Sequence, residues 1–259
     1  MRFNQIKWKL MLTTLPISFL VLGVKMVLIF GFEFDGLVRF SDIGLIFTGG
    51  IFLIGFMLAG TLADYKESEK LPAEIACSLE TIEDLIILAH DFNSNFDLND
   101  QRKQINEVTV SIIRWFFSEE NEKIVFGKIK GLANIALLVQ NTKIGSTAAR
   151  CTAEIGVLRK LFSRAIVIRR TNFLATGYAL LEFVTIVLII LLLITTFENH
   201  FIAGVLVFFI THIFVYMIRL IRDIDQPFEY SAEGKSGSAE VDLFSLVDFE
   251  RRAKENIKS

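Results

Sequence analysis

Residues 43–63 read IGLIFTGGIFLIGFMLAGTLA, with neither a charge nor a proline among them. At 1.5 Å per residue a helix of this length covers about 30 Å, the thickness of a bilayer's hydrocarbon core. A segment in lipid must satisfy its own amide groups, and a helix does so. The stretch therefore reads as a transmembrane helix, and it sets the class of the whole chain.

Three further stretches repeat the pattern. Leu10–Phe32 is broken only by Lys25, Thr171–Phe197 only by Glu182, and Phe201–Ile218 contains one histidine, His212. The first is too long for a signal-peptide core, and no small-residue cleavage site follows it. Of 259 residues 53% are hydrophobic and 22% are charged, with a mean hydropathy of +0.51. The two classes are segregated along the chain. The expected fold is an all-α integral membrane protein with four transmembrane helices and a cytoplasmic helical domain between helices 2 and 3. Its parts are an N-terminal hairpin (1–63, spans about 10–32 and 43–63), a cytoplasmic domain (64–170), a C-terminal hairpin (171–218, spans about 171–197 and 201–218) and a tail (219–259).

Basic residues orient it. Arg2, Lys7 and Lys9 precede the first span, Arg164, Arg169 and Arg170 precede the third, and Arg219 and Arg222 follow the fourth. The first loop holds Glu33, Asp35, Arg39 and Asp42 instead. The positive-inside rule then puts both termini and the middle segment in the cytoplasm of a multi-pass inner (plasma) membrane protein.

The middle segment has balanced charge and helical periodicity. Apolar residues recur at Ile75, Leu79, Ile82, Leu85, Ile86 and Ala89 after Pro72, then at Ile105, Val108, Ile112 and Trp115. Asn99 or Asp100 is the expected cap of this second helix. A third helix is expected from Ser118 to near Lys143, and a fourth from Ser146 straight into the third span. Residues 231–239 (SAEGKSGSA) read as a linker, followed by an amphipathic stretch, Val241–Ala253.

Several functions are excluded or disfavoured. The net charge of −2 argues against a nucleic-acid partner. Cys77 and Cys151 lie far apart with no ligand-spaced histidine, which argues against a disulfide framework and against a metal site. No Gly-rich phosphate loop or Ser/His/Asp order is present, so no enzyme, catalytic residue or cofactor is expected.

Two local motifs carry a resemblance. Phe52-Leu-Ile-Gly55-Phe56 in the second span is followed by Leu71-Pro72 beyond it, and Ile224-Asp225-Gln226-Pro227-Phe228 follows the fourth span. In these slots the chain resembles the bestrophin-like ion channels, which have a Phe-x-x-Gly-Phe run ending in Leu-Pro and an Asn-Pro-Phe-Gly run after the last span. Asp64-Tyr65-Lys66 departs from the Arg and tryptophans of animal members, and Glu229-Tyr230-Ser231 carries no run of acids. The resemblance therefore implies a divergent bacterial relative and no calcium gating.

It also implies a homo-oligomer, a pentamer, in which five copies of the second span surround a pore for small ions. Thr48, Phe52 and Phe56 map to the neck, and Thr48 departs from the apolar residue the family prefers. Residues four apart share one helix face, so two levels of Phe rings would form an apolar constriction. Gly49, Gly50, Gly55 and Gly60 are expected to let helices pack closely. The alternative face for Phe52 and Phe56 is lipid or a neighbouring helix.

Charges inside a membrane usually have a partner. Counted along the rise, Glu182 and His212 lie at similar depth on adjacent antiparallel helices, so they are expected to touch, as a structural bond or an ion site. Lys25 is expected to extend toward the headgroups. The leading function is an ion channel. The alternatives are a non-conducting membrane-anchored scaffold that binds a partner through its cytoplasmic helices, and a proton-coupled transporter, for which no repeat or broken helix is found. Glu33, Asp35 and Asp42 could ring an acidic mouth, but ion selectivity is not legible.

Overall fold

The computed structural model describes residues 2–34, 36–94, 96–141, 145–171, 174–230 and 239–258, with 2–7, 145 and 258 as backbone. The expected roles of Arg2, Lys7, Asp35 and Lys143, and of the linker over 231–238, fall outside what is described. The described residues form ten helices: α1 (Arg2–Gly31), α2 (Phe40–Ser68), α3 (Leu71–Phe92), α4 (Leu98–Phe116), α5 (Glu122–Gly131), α6 (Ala133–Gln140), α7 (Gly145–Arg170), α8 (Ala175–Leu193), α9 (His200–Ile224) and α10 (Phe244–Lys258). Two-residue strands β1 (Val38–Arg39) and β2 (Thr195–Thr196) pair in parallel. The protein is an all-α membrane protein, with four helices long and apolar enough to cross a bilayer. The chain divides into two compact units, residues 1–65 with 172–226 and residues 66–171 with 227–259.

The first unit contains α1, most of α2, α8 and α9. Its core is built from Ile43, Ile54 and Met57 of α2, Leu181, Leu188 and Leu192 of α8, and Val207, Phe214 and Ile221 of α9. At one end the α1–α2 loop closes on the α8–α9 turn. Gly36 there has φ +104°, and an added Cβ would sit 2.7 Å from the amide nitrogen of Thr196, so only glycine fits both the conformation and the space. Leu37 N–H donates to the carbonyl of Ile194 (2.7 Å) and starts the strand pair.

The second unit is built from helices, with no strand among its described residues. Asp97, not Asn99 or Asp100, caps α4, accepting the Asp100 amide at 3.0 Å. The helix expected from Ser118 starts instead at Glu122, because Asn121 caps it and Ser118 takes a left-handed φ of 62°. It also breaks at Leu132 into α5 and α6. Nor does α7 run into the third span, since Leu174 is extended and α8 starts at Ala175. The third span is thus shorter than the expected 171–197, and α9 runs six residues past the expected end at Ile218, through Ile224.

The described residues after α9, 227–230 and 239–258, do not form a free tail. Phe228 is buried with its ring 5.1 Å from Phe116, and the Pro227 carbonyl accepts the Val241 amide at 2.9 Å. In α10, Leu246, Phe249 and Ala253 are buried, and Arg252 pairs with Glu80 of α3. Pro227 and Phe228 therefore anchor the C-terminal segment to the helical unit.

Candidate functional site

The second span is a helix with two distinct faces. Ile43, Gly50, Ile54, Met57 and Thr61 are buried, at the three- and four-residue spacing of a helix stripe. Two close fits explain why this side faces inward. The rings of Phe47 and Phe214 lie 5.8 Å apart, and a Cβ on Gly50 would meet Phe214 Cε1 at 2.8 Å. About two turns further along, Met57 is wholly buried and fills the space over Gly177, where a Cβ would meet its sulfur at 2.6 Å.

The opposite face is bare within the chain. Leu45, Phe52 and Phe56 are 86%, 76% and 55% exposed, and Thr48 and Ala59 are exposed beside them. Thr48, Phe52 and Phe56 climb this face in steps of about 6 Å, each turned about 40° from the last. The Thr48 hydroxyl is not free, since it donates to the Gly44 carbonyl at 2.9 Å. The structure thus brings the three expected neck residues onto one uncovered face of one helix.

The four glycines divide. Gly50 makes the close approach, whereas Gly49 and Gly55 are exposed with nothing within 4 Å of an added Cβ, and Gly60 is half-buried. Gly49 and Gly55 therefore pack no helix of their own chain. The packing glycines outside the sequence-based set are Gly177, under Met57, and Gly204, where a Cβ would lie 3.0 Å from Met26 Cε. Nothing local marked them, because the partner of each is distant in sequence.

The expected contact between Glu182 and His212 is absent. Glu182 pairs with Arg222 of α9, while His212 Nδ1 lies 3.1 Å from Ser18 Oγ and 3.4 Å from Thr14 Oγ1, both on α1. Tyr178 Oη donates to the Ile221 carbonyl and fixes the register of α8 against α9. By that register Glu182 is level with about residue 217, five residues from both His212 and Arg222, and these two lie about 80° apart round α9, so the side of the helix rather than depth selects Arg222. His212 instead stacks on Phe208, ring planes 3° apart, and turns toward α1.

Lys25 does not reach the headgroups. It is 1% exposed and donates to the carbonyls of Leu193 (2.9 Å) and Thr195 (2.8 Å), with its ammonium 5.5 Å from the Phe197 ring centre. A cation placed at the C-terminus of α8 satisfies carbonyls that the helix leaves open. At the loop end Asp42 is engaged by Arg39 (3.4 Å) and Ser41 (3.1 Å), so it is not a free charge at a mouth. Among the described residues no group of three or more His, Cys, Asp or Glu is placed to hold a metal.

No family model matches the chain, and no curated protein matches its sequence. Solved structures do. A single-substitution variant of a bacterial bestrophin homologue from Klebsiella pneumoniae superposes with a TM-score of 0.74 at 11% identity, over 92% of this chain and 96% of that one. A second variant of it gives 0.73 at 12% identity, over 95% and 100%. The chain has the bestrophin fold. A third variant, at 0.70 and 13% identity, covers 98% of both chains, so the bestrophin fold takes in both units and all four spans.

Proposed function

We propose that this chain is a subunit of a bestrophin-type ion channel. Copies of the chain, five by the family resemblance, assemble around an axis with the bare face of α2 turned inward. The observation that supports this most is that face itself: Phe52 and Phe56, on the helix that the family resemblance makes the pore helix, are largely uncovered in their own chain. Two rings of phenylalanine about 6 Å apart along the axis would form a neck that water fills reluctantly. Thr48 stands one step nearer the loop end, with its hydroxyl tied to its own backbone and its methyl left to face the lumen. Gly49 and Gly55, bare on either side of the neck residues, leave room for neighbouring copies to approach. The charge asymmetry of the loops places both termini in the cytoplasm and Gly36 outside.

The test is reconstitution. The purified chain should cross-link as a closed ring in detergent and give currents in planar bilayers, and reversal potentials in asymmetric salt would identify the permeant ion. A monomer or dimer that carries no current would instead make it a membrane-anchored scaffold.

A further inference from the structure

Between α1 and α9 the first unit has an open groove of about 590 Å3. Phe19, Leu22 and Phe30 line it from α1, and Phe201, Val205 and Phe208 from α9; no carboxylate lines it. Its floor is Gly204, where any side chain would run into Met26 and Leu22. The groove extends from His200 to Phe209 along α9, nine residues or about 13 Å, and about 16 Å from Phe19 to Phe30 along α1. This is about half of a ~30 Å hydrocarbon core, the depth of one leaflet.

Polarity changes along it. The deep end is aromatic and aliphatic, while the shallow end carries the exposed imidazole of His200. The buried Lys25 lies behind His200, in a separate pocket of about 10 Å3. The groove thus has an apolar channel one leaflet deep, with one exposed imidazole at its shallow end. It also faces away from α2. Phe214 packs against Gly50 of α2, and Phe208, six residues earlier, lies about 120° round α9. If α2 faces an axis, as proposed above, the groove faces the bilayer.

We infer that this groove is a phospholipid site, taking one acyl chain of the leaflet nearest the α8–α9 turn, with the phosphate of that lipid beside His200. The shape matches an amphiphile: a long apolar channel about one leaflet deep and an imidazole at headgroup level. The experiment uses the full chain in vesicles doped with a phospholipid that bears a diazirine in its acyl chain. After illumination, adducts should concentrate on Phe19, Leu22, Phe201, Val205 and Phe208. They should exceed those on Phe183 and Ile186 of α8, which are equally apolar and exposed but line no groove. Val205→Trp and, separately, Leu22→Trp fill the channel and should lose the groove adducts while keeping those on α8. Even labelling of every exposed apolar residue would overturn the site, as would groove labelling that survives both substitutions. Displacement of the adducts by free fatty acid at low concentration would overturn the phospholipid assignment, and cross-linking of groove residues to a second copy would replace the lipid by a subunit. The labelling does not depend on conduction, so a silent protein with a labelled groove would sink the channel proposal alone.

Discussion

Truncating Phe52 should open the channel without unfolding it, and the structure gives the size of both effects. A Phe→Ala change in a packed core costs about 3–5 kcal/mol, because contacts are lost and a cavity remains. Phe52 keeps 76% of its surface exposed within the chain, so about a quarter of that loss applies, about 1 kcal/mol. Phe56, at 55% exposed, stands to lose about 2 kcal/mol on the same reckoning. Neither figure should dismantle a chain whose α2 is held by Ile54, Met57 and the Gly50 fit. The functional effect is the opposite in sign: each substitution removes a ring from every copy at once, which widens the bore and lowers the cost of wetting it. Planar-bilayer recordings at equal protein density should show larger currents for Phe52→Ala and Phe56→Ala, and at least as large for the pair. Met57→Ala is the contrast. Met57 is wholly buried over Gly177, so its loss should cost about 2–5 kcal/mol and lower the thermal midpoint sharply. Leu53, half-buried on the flank, is the better conductance control, and Leu53→Ala should leave currents near wild type. Unchanged currents for both Phe variants in oligomers shown intact by size exclusion would refute the neck. So would a stability loss at Phe52 equal to that at Met57, because it would mean that the face is covered.

Three other substitutions and reagents test the remaining geometry. Ser18→Ala should cost about 1 kcal/mol by removing the hydroxyl at His212. That loss should be additive with Glu182→Gln, whereas Glu182→Gln and Arg222→Gln should be non-additive because they share one ion pair; strong coupling of Glu182 to His212 in thermal melts would reverse the assignment. Gly36→Ala should destabilise by more than about 1 kcal/mol, since φ +104° and a 2.7 Å approach to the Thr196 nitrogen both oppose a side chain, and a melt equal to wild type would show that the α1–α2 loop does not sit against the α8–α9 turn. A thiol reagent should modify exposed Cys77 in the native protein and buried Cys151 only after denaturation, read by peptide mass; early modification at Cys151 would mean that α7 opens.

The four spans were legible because spanning lipid is a matter of length and composition, which residues 43–63 display without help from any partner. The faces of the spans were not legible in the same way. Both sides of α2 are apolar, so periodicity cannot say that Ile54 is inside and Phe52 outside; only the Phe-x-x-Gly-Phe resemblance oriented it. The polar residues misled for a related reason. Depth counted from the ends of the apolar runs does not decide the partner of Glu182, because Arg222 and His212 stand equally far from it along α9 and differ in the side of the helix they occupy. Lys25 was read by its own chemistry alone, and its partners are carbonyls some 170 residues away in sequence.

What marks the interior of this membrane unit is smallness and a self-satisfied hydroxyl. Thr14, Ser18, Thr61 and Thr185 are buried, each bonding a carbonyl of its own helix, and Gly50, Gly177 and Gly204 lie where a side chain would collide. The large apolar residues Leu45, Phe52, Phe183, Ile186 and Phe209 face outward. Lipid is as apolar as leucine, so burying a leucine gains little there, and close backbone approach decides which side faces in. In lipid, then, a bare Phe is ordinary, and exposure alone does not make a pore. Phe183 and Ile186 are as exposed as Phe56. Phe52 and Phe56 differ in sitting on the helix that the proposed assembly turns to its axis, flanked by Gly49 and Gly55, which no helix of their own chain uses. The neck assignment depends on that conjunction, and on the currents that would test it.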